Sequence, residues 1–257
     1  MLLARNFPAL LTAALILISP LSYAEEADWP GFALIRNSTI HVGRNADYEM
    51  FLKELAAADK SADASTNRII ESGLITDGGL YTHISFHTDF TDLREPIGYL
   101  QVHGDDAWRN LVGGLDGVVQ HSERRIYLRR PELGRADPDL DPQKVELWYT
   151  YHVKVETGAN DQFEQWLMKL VEATAKVDPD AYWNTYSPWL NTGNVYRITS
   201  ATSLEDLNSP LMNPQQRMEA AFDKREADRL AELNADSVVS VQQTLLRHRL
   251  DLSYIAD

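Results

Sequence analysis

Apolar and polar residues alternate along residues 147–155, which is the period of a strand with one buried face. The next apolar residues recur three and four positions apart, which is the period of a helix. These residues are Phe163, Trp166, Leu167, Leu170 and Val171. Asn160 stands at the start of this stretch, and its side chain is predicted to cap the helix. Two more strands are predicted at residues 182–190 and 195–202, joined by an Asn-Thr-Gly turn.

This pattern occurs twice in the chain. Residues 43–55 match residues 158–170 without a gap, at a shift of 115 residues. The register continues through four identical pairs, which are Asp63 with Asp178, Ser72 with Ser187, Gly78 with Gly193 and Tyr81 with Tyr196. One residue is then lost, and residues 91–93 match residues 205–207. A register kept over this length, with its apolar positions preserved, predicts a tandem duplication. Asn45 takes the capping place in the first copy, where the turn is expected at residues 76–79.

A second helix and a last strand complete each copy. The second helices are predicted at residues 105–119 and 214–233, the latter capped by Asn213 with a proline at its first position. The last strands are predicted at residues 124–130 and 238–250. Each copy therefore reads strand-helix-strand-strand-helix-strand, which is the order of a ferredoxin-like unit.

The predicted fold class is α+β, with two tandem ferredoxin-like βαββαβ repeats that form an intrachain barrel. The first repeat is assigned to residues 25–133 and the second to residues 144–257. Residues 134–143 between them are polar and rich in proline, and are predicted to be a linker.

Two such units with helices on one face of each sheet resemble the dimeric α/β-barrel superfamily. Its members include antibiotic-biosynthesis-monooxygenase-like proteins, stress-responsive barrel proteins, and the haem-binding chlorite dismutases and dye-decolourising peroxidases. The resemblance implies two sheets packed face to face around a pocket. It does not identify the chemistry, because enzymes and non-enzymes share this fold.

The first 24 residues have the pattern of a secretory signal peptide. Arg5 provides positive charge before an apolar stretch at residues 10–18, which a proline ends. Ser22 and Ala24 are small residues at the spacing that a signal peptidase requires. We therefore expect a periplasmic or secreted protein, with no stable membrane insertion after cleavage.

Composition narrows the functional classes. Of the 257 residues 44% are hydrophobic, an ordinary proportion for a folded globular protein. The net charge of −14 argues against a nucleic-acid partner, because nucleic-acid binding needs a basic surface. The absence of cysteine excludes disulfides, thiolate metal sites and cysteine nucleophiles. A monomer and a homo-oligomer both remain open.

The strand predicted at residues 80–89 carries the densest candidate chemistry. Alternation puts Leu80, Ile84 and Phe86 on one face, which is expected to meet the helices. The opposite face is expected to line the barrel interior and carries Tyr81, His83, Ser85, His87 and Asp89. Tyr196 takes the place of Tyr81 in the second copy, where neither histidine has a counterpart. Alternatively, this face is simply wet or closed by polar packing.

Metal binding is not expected: His87 with Asp89, or one of them with His152, could approach one ion, but no established ligand pattern supports such a site. Four residues along a strand span roughly 13 Å, so His83 and His87 cannot share an ion whose bonds to nitrogen are about 2.0–2.1 Å long. His152 shares a face of its strand with Trp148, Thr150 and Lys154, and this face could line the same pocket. A single histidine there could be a haem ligand, a general base or a structural residue.

Aromatic residues are dense in the second copy, which favours a pocket for a flat apolar molecule. They are Trp148, Tyr149, Tyr151, Tyr182, Trp183, Tyr186, Trp189 and Tyr196. Strands also favour aromatic residues for their packing alone.

Four arginines in or beside one predicted strand could hold an anion, or could protect an exposed sheet edge. They are Arg124, Arg125, Arg129 and Arg130.

The leading hypothesis is an exported barrel that binds a small apolar or aromatic molecule between its two sheets, without a cofactor. The predicted ligand-binding residues are Tyr81, His83, Ser85, His87, Trp148, His152 and Tyr196. One alternative is a cofactor-independent, monooxygenase-like enzyme with His83, His87 or His152 as its proton acceptor. Others are a haem-binding barrel resembling the chlorite dismutases and a barrel with a purely structural role.

Overall fold

The computed structural model describes residues 31–64, 67–73, 79–87, 97–189, 192–208 and 212–255. The predicted signal peptide, most of the predicted turn at residues 76–79 and Asp89 lie outside these ranges. No helix among the described residues is both long and apolar enough to cross a membrane.

The described elements occur in the same order in the two halves of the chain. The first half contains β1 (Phe32–Ile40), α1 (Asn45–Ser61), β2 (Arg68–Gly73), β3 (Leu80–His87), α2 (Ile97–Gly113) and β4 (Val119–Arg129). The second half contains β5 (Leu147–Val155), α3 (Asn160–Val177), β6 (Asn184–Pro188), β7 (Val195–Thr202), α4 (Pro214–Ala221), α5 (Lys224–Ser237) and β8 (Val238–His248). The α+β fold class predicted from the sequence is confirmed.

The eight strands form one closed antiparallel barrel in the order β1-β3-β2-β8-β5-β7-β6-β4. Two short pairings join the halves. In the first, between β2 and β8, Glu71 lies opposite His248. In the second, between β4 and β6, Leu128 lies opposite Ser187. β4 pairs with β6 only at residues 127–129, so Arg129 lies in the part of the strand with partners on both sides. Arg124 and Arg125 lie where β4 pairs with β1 alone, so the protection of a sheet edge stays a prediction for them.

Alternation along the strands divides their side chains between an outer face under the helices and an inner face. On the outer face, Phe51, Leu52 and Leu55 of α1 pack with Ile40, Ile70 and Tyr81. Phe163, Leu167 and Leu170 of α3 pack in the same way with Val153, Val155 and Tyr196. The inner face has a core of its own, made of Ala33, Ile35, Ile69, Ile84, Phe86, Tyr127 and Tyr186.

Two of the helix boundaries differ from those predicted from the apolar periodicity, and the backbone geometry explains both differences. The expected helix 214–233 is two helices, because Phe222 is extended and Asp223 caps α5 by accepting from the Glu226 N–H at 2.9 Å. The capping box at Asn213 is confirmed. α2 begins before residue 105, but Gly104 has a φ of 78° and interrupts it immediately before the predicted start.

The predicted caps at Asn45 and Asn160 are wrong. Each asparagine is the first residue of its helix and not the residue before it. No side chain caps the N-terminus of either helix. Asn45 instead packs closely against Gly79, where a Cβ atom would overlap its amide oxygen. Two residues before each asparagine, Gly43 and Gly158 adopt positive φ values, and these left-handed turns set the direction of each helix.

Two matching clusters tie each half of the barrel to the other. The Tyr81 hydroxyl donates to Glu49 of α1 at 2.7 Å, and Arg249, which follows β8, also donates to Glu49. This hydrogen bond from Arg249 is the main cause of a lowered pKa at Glu49, against the raising effect of burial. The arginine comes from the second half, so this Tyr-Glu-Arg cluster joins the two halves.

The second Tyr-Glu-Arg cluster is the reciprocal of the first. The Tyr196 hydroxyl donates to Glu164 of α3 at 2.8 Å. Arg130, which follows β4 in the first half, donates to both oxygens of Glu164 at 2.8 Å. Each half therefore supplies one arginine to the other, and a bidentate, charge-assisted pair is a strong form of such contact.

Replacing Tyr81 or Tyr196 with phenylalanine is expected to destabilise the fold by ~1.5–3 kcal/mol, because each change removes a hydrogen bond to a charged group. The two values should be similar, since the clusters are equivalent. Urea unfolding followed by circular dichroism measures both. The control is Tyr149→Phe, whose hydroxyl donates to Gln243 at the surface and whose loss should cost less than about 0.5 kcal/mol. Losses at Tyr81 and Tyr196 no larger than at Tyr149 would contradict the clusters' stabilising role.

Candidate functional site: the barrel interior

The polar face of β3 lies under the helices and not inside the barrel. Tyr81 packs in the α1 cluster, and alternation puts His83, Ser85 and His87 on the same outer face. Ile84 and Phe86 belong to the inner core instead. The expected orientation of β3 is therefore wrong. The polarity of the side chains did not indicate the inner face, because every residue from 81 to 87 is buried and neither face of β3 is exposed to solvent.

His83 is held by a buried ion pair that covers the polar face. Arg68 donates from Nη1 to His83 Nε2 at 2.8 Å and from Nε to Asp59 at the end of α1. Asp59 also contacts Gly98 at the start of α2, where a Cβ atom would overlap its carboxylate. Polar packing, the alternative considered for this face, therefore accounts for His83.

His87 and Ser85 hydrogen-bond to each other, with 2.8 Å between Oγ of Ser85 and Nε2 of His87. The ring of His87 also stacks on Phe32, at a centroid distance of 5.6 Å. Tyr196 lies on the outer face of the second half, whereas Trp148 and His152 lie on the inner face of β5. The seven residues predicted to bind a ligand thus divide between two faces of the barrel and do not line one pocket. Their roles in binding stay predictions.

A cavity of about 330 Å³ lies inside the barrel. Its walls are largely apolar and aromatic, and include Ile35, Ile69, Ile84, Phe86, Trp148 and Tyr186. The segment between the two halves closes one side of it with Pro131, Ala136, Asp137, Pro138, Leu140 and Pro142. Its volume falls in the range of pockets that bind small molecules.

A buried ion pair crosses the interior beside this cavity. Arg197 of β7 donates from Nη2 to Glu71 of β2 at 2.8 Å, and the two side chains are only 1% and 3% exposed. Both residues line the cavity. The pair joins strands of different halves, and removing one partner would leave an uncompensated charge inside the barrel.

Sequence patterns alone did not single out Arg197 or Glu71. The available signal was a charged residue within a short apolar stretch, as in Val-Tyr-Arg-Ile at residues 195–198 and Ile-Ile-Glu at residues 69–71. Such a charge is almost never fully buried without a partner.

Three buried N–H donors at the cavity have no acceptor among the described residues. They are Nε and Nη1 of Arg197 and Nε1 of Trp148. Buried donors are nearly always hydrogen-bonded, so three of them on two side chains of one cavity require an explanation.

His152 lies on the inner face, directly across from Arg197 in the pairing of β5 with β7. Burial, together with the positive charges of Arg197 and Arg125, lowers its pKa to about 3. His152 is therefore neutral at physiological pH and a weak proton acceptor. A general base works best with a pKa near the working pH, so this environment does not favour His152 in that role.

Two histidines of the inner face lie opposite residues of this cavity, His152 opposite Arg197 and His248 opposite Glu71. No histidine is among the described residues that line the cavity itself. His83 and His87 lie on the opposite face of their strand, in the hydrogen bonds given above. Within the described ranges, no group of three or more His, Asp or Glu side chains is placed to hold a metal ion.

Comparisons with known proteins identify the fold and not the family. No protein-family model matches the sequence, and no match is found among curated proteins. A "putative monooxygenase" from Fusobacterium nucleatum subsp. nucleatum ATCC 25586 has a TM-score of 0.56 at 9% identity, covering 86% of this chain and 94% of its own. For a "putative monooxygenase" from Lactobacillus acidophilus NCFM, the TM-score is 0.51 at 10% identity, with 87% and 96% covered. An anthrone oxidase-like protein has a TM-score of 0.50 at 10% identity, with 86% and 92% covered.

The closed ring of strands and these structural similarities define a dimeric α/β barrel, here formed within one chain. The fold resemblance expected from the sequence is thereby confirmed. At 9–10% identity the similarity extends to the fold alone, so the site has to be interpreted from this chain's own residues.

Replacing His152 with glutamine is expected to reduce the loss of stability on acidification. The pKa of His152 is about 3 in the folded protein but about 6.5 in an unfolded chain. Between these values the unfolded state binds a proton that the folded state excludes, so stability is full above about pH 6.5 and falls as the pH drops. The slope from this group approaches ~1.4 kcal/mol per pH unit.

The free energy of unfolding in urea, measured from about pH 7 down to about pH 5, tests this expectation. The wild type should lose more stability over this range than His152→Gln. His121→Gln, at an exposed position of β4, should keep the slope of the wild type. Equal slopes for the wild type and His152→Gln would show that His152 is not a buried neutral group.

Proposed function

We propose that this protein is exported and binds a small molecule with a flat apolar or aromatic body inside its barrel. The observation that carries the proposal is the cavity of about 330 Å³ between the two halves. Phe86, Trp148 and Tyr186 contribute aromatic rings to its walls, and Ile35, Ile69 and Ile84 contribute aliphatic surface. Aromatic walls favour a flat ligand, because ring contacts combine a large apolar area with a defined geometry.

Binding rather than catalysis is proposed. Two of the structures with this fold are named as monooxygenases, but the described lining of this cavity includes no histidine. Its ionisable side chains are Glu71, Arg129, Asp137, Tyr186 and Arg197. Glu71 is already paired with Arg197, and burial raises the pKa of Tyr186. These groups favour orientation of a ligand over removal of a proton from it.

Filling the cavity should abolish binding. In Ile84→Trp the larger ring occupies the space between the sheets, so affinity for a flat neutral probe such as 2-naphthamide should fall at least tenfold. Isothermal titration calorimetry measures the affinity, and native mass spectrometry of the purified wild type records any small molecule that co-purifies.

The matched control is Val112→Trp, which adds the same ring to an exposed position of α2 and should bind like the wild type. Circular dichroism confirms that both variants are folded. A folded Ile84→Trp protein that binds as tightly as the wild type would place the site outside the cavity. A wild type with neither an added mass nor probe binding would contradict the proposed function.

Export is tested separately with the full chain expressed in a Gram-negative bacterium. The protein should be recovered from the periplasm with a mass that corresponds to residues 25–257, because Ser22 and Ala24 fit the specificity of a signal peptidase. The substitution Ala24→Arg should block cleavage and retain the longer chain. A full-length wild type in the cytoplasm would contradict export.

A further inference from the structure

The inner face of the barrel has more hydrogen-bond donors at its cavity than the protein satisfies. Arg197 carries five N–H groups in a fixed planar arrangement. Among the described residues only its Nη2 has a partner, which is Glu71, while its Nε and Nη1 have none. Arg197 is almost completely buried, so bulk water does not reach these donors readily.

Trp148 adds a third donor at the same cavity. Its indole Nε1 is buried and has no acceptor among the described residues. Trp148 extends from β5 and Arg197 from β7, which are neighbouring strands, and both side chains line the cavity. In this pairing Trp148 lies opposite Ala201, four residues along β7 from Arg197, so the two residues offer donors at separate points of the cavity. The two unpaired nitrogens of Arg197 are the donors that lie together, and the chain itself provides no acceptor for them among the described residues.

The charge of Arg197 indicates which kind of acceptor fits. The described lining of the cavity carries two arginines, Arg129 and Arg197, and two carboxylates, Glu71 and Asp137. Its formal charges therefore balance, and the preference for an acceptor comes from the unpaired N–H groups of Arg197 and not from an excess of positive charge. A charged acceptor forms stronger hydrogen bonds with a guanidinium group than a neutral acceptor does.

We infer that the ligand is an aromatic carboxylate, whose ring lies against the apolar walls and whose carboxylate accepts hydrogen bonds from Nε and Nη1 of Arg197. This inference rests on the proposed function and specifies the chemistry of the ligand. Guanidinium groups match the planar geometry of carboxylates, and hydrogen bonds between charged partners are stronger than neutral ones. Glu71 holds Arg197 in place and leaves the remaining N–H groups for the ligand.

The test compares 2-naphthoate with its neutral counterpart 2-naphthamide by isothermal titration calorimetry. The wild type should bind the acid at least tenfold more tightly than the amide. Trp148→Phe keeps an aromatic ring but removes an N–H that lies four residues along the strands from Arg197, so it should leave the ratio of the two affinities unchanged.

Arg197 is tested in the double variant Arg197→Met/Glu71→Gln, because the single change would leave a buried, unpaired carboxylate. This variant should lose at least tenfold in affinity for the acid and little for the amide. Lys154→Met is the control, since it removes an exposed cation of the same face at a position outside the cavity lining. It should bind both probes like the wild type.

Equal affinity of the wild type for acid and amide, unchanged by these variants, would overturn the carboxylate inference and leave the proposed function intact. Equal weakening of acid binding by Lys154→Met would also overturn it, because general electrostatics would then explain the preference. Failure of the wild type to bind either probe would contradict the proposed function itself. If the double variant does not fold, the acid-to-amide ratio in the wild type still decides.

Discussion

Closure of the sheet is the constraint on which the rest of this structure depends. Each half has four strands, but the ring is complete only because β2 pairs with β8 and β4 pairs with β6. These joining pairs are short, and the reciprocal Tyr-Glu-Arg clusters beside them reinforce both junctions. As a result, the apolar inner face of each sheet is buried by the other half and not by a helix. The barrel interior is therefore a joint product of both halves.

The interior is not symmetric, although its framework is. Glu71 lies opposite Thr82 in the first half, and the corresponding pair in the second half is Tyr186 with Arg197. The ion pair therefore joins Glu71 of the first cross-strand pair to Arg197 of the second. The two remaining residues, Thr82 and Tyr186, occupy the related positions and do not form an ion pair. Thr82 instead hydrogen-bonds Asn37. The two matching halves thus provide one charged, donor-rich region within a shell that is otherwise closely matched.

Much more of the fold than of the site could be predicted from the sequence. The strands at residues 147–155 and 195–202 have the predicted bounds, since periodicity fixes a strand whose two faces differ. In β3 both faces are buried, so polarity no longer indicates which face meets the helices. Arg197 was missed for a different reason. Its partner Glu71 lies 126 residues away in the other half, and no local pattern connects two residues that only barrel closure brings together.

The segment that joins the halves does more than connect them, because it also forms a wall of the cavity. In a barrel assembled from two identical chains, twofold symmetry makes the two ends of the interior equivalent. A covalent connection occurs only once and removes that equivalence. Pro131, Pro138 and Pro142 stiffen it, so the boundary of the cavity is set by a stretch that belongs to neither sheet. Substitutions there can change which molecules enter without disturbing a single strand of the barrel.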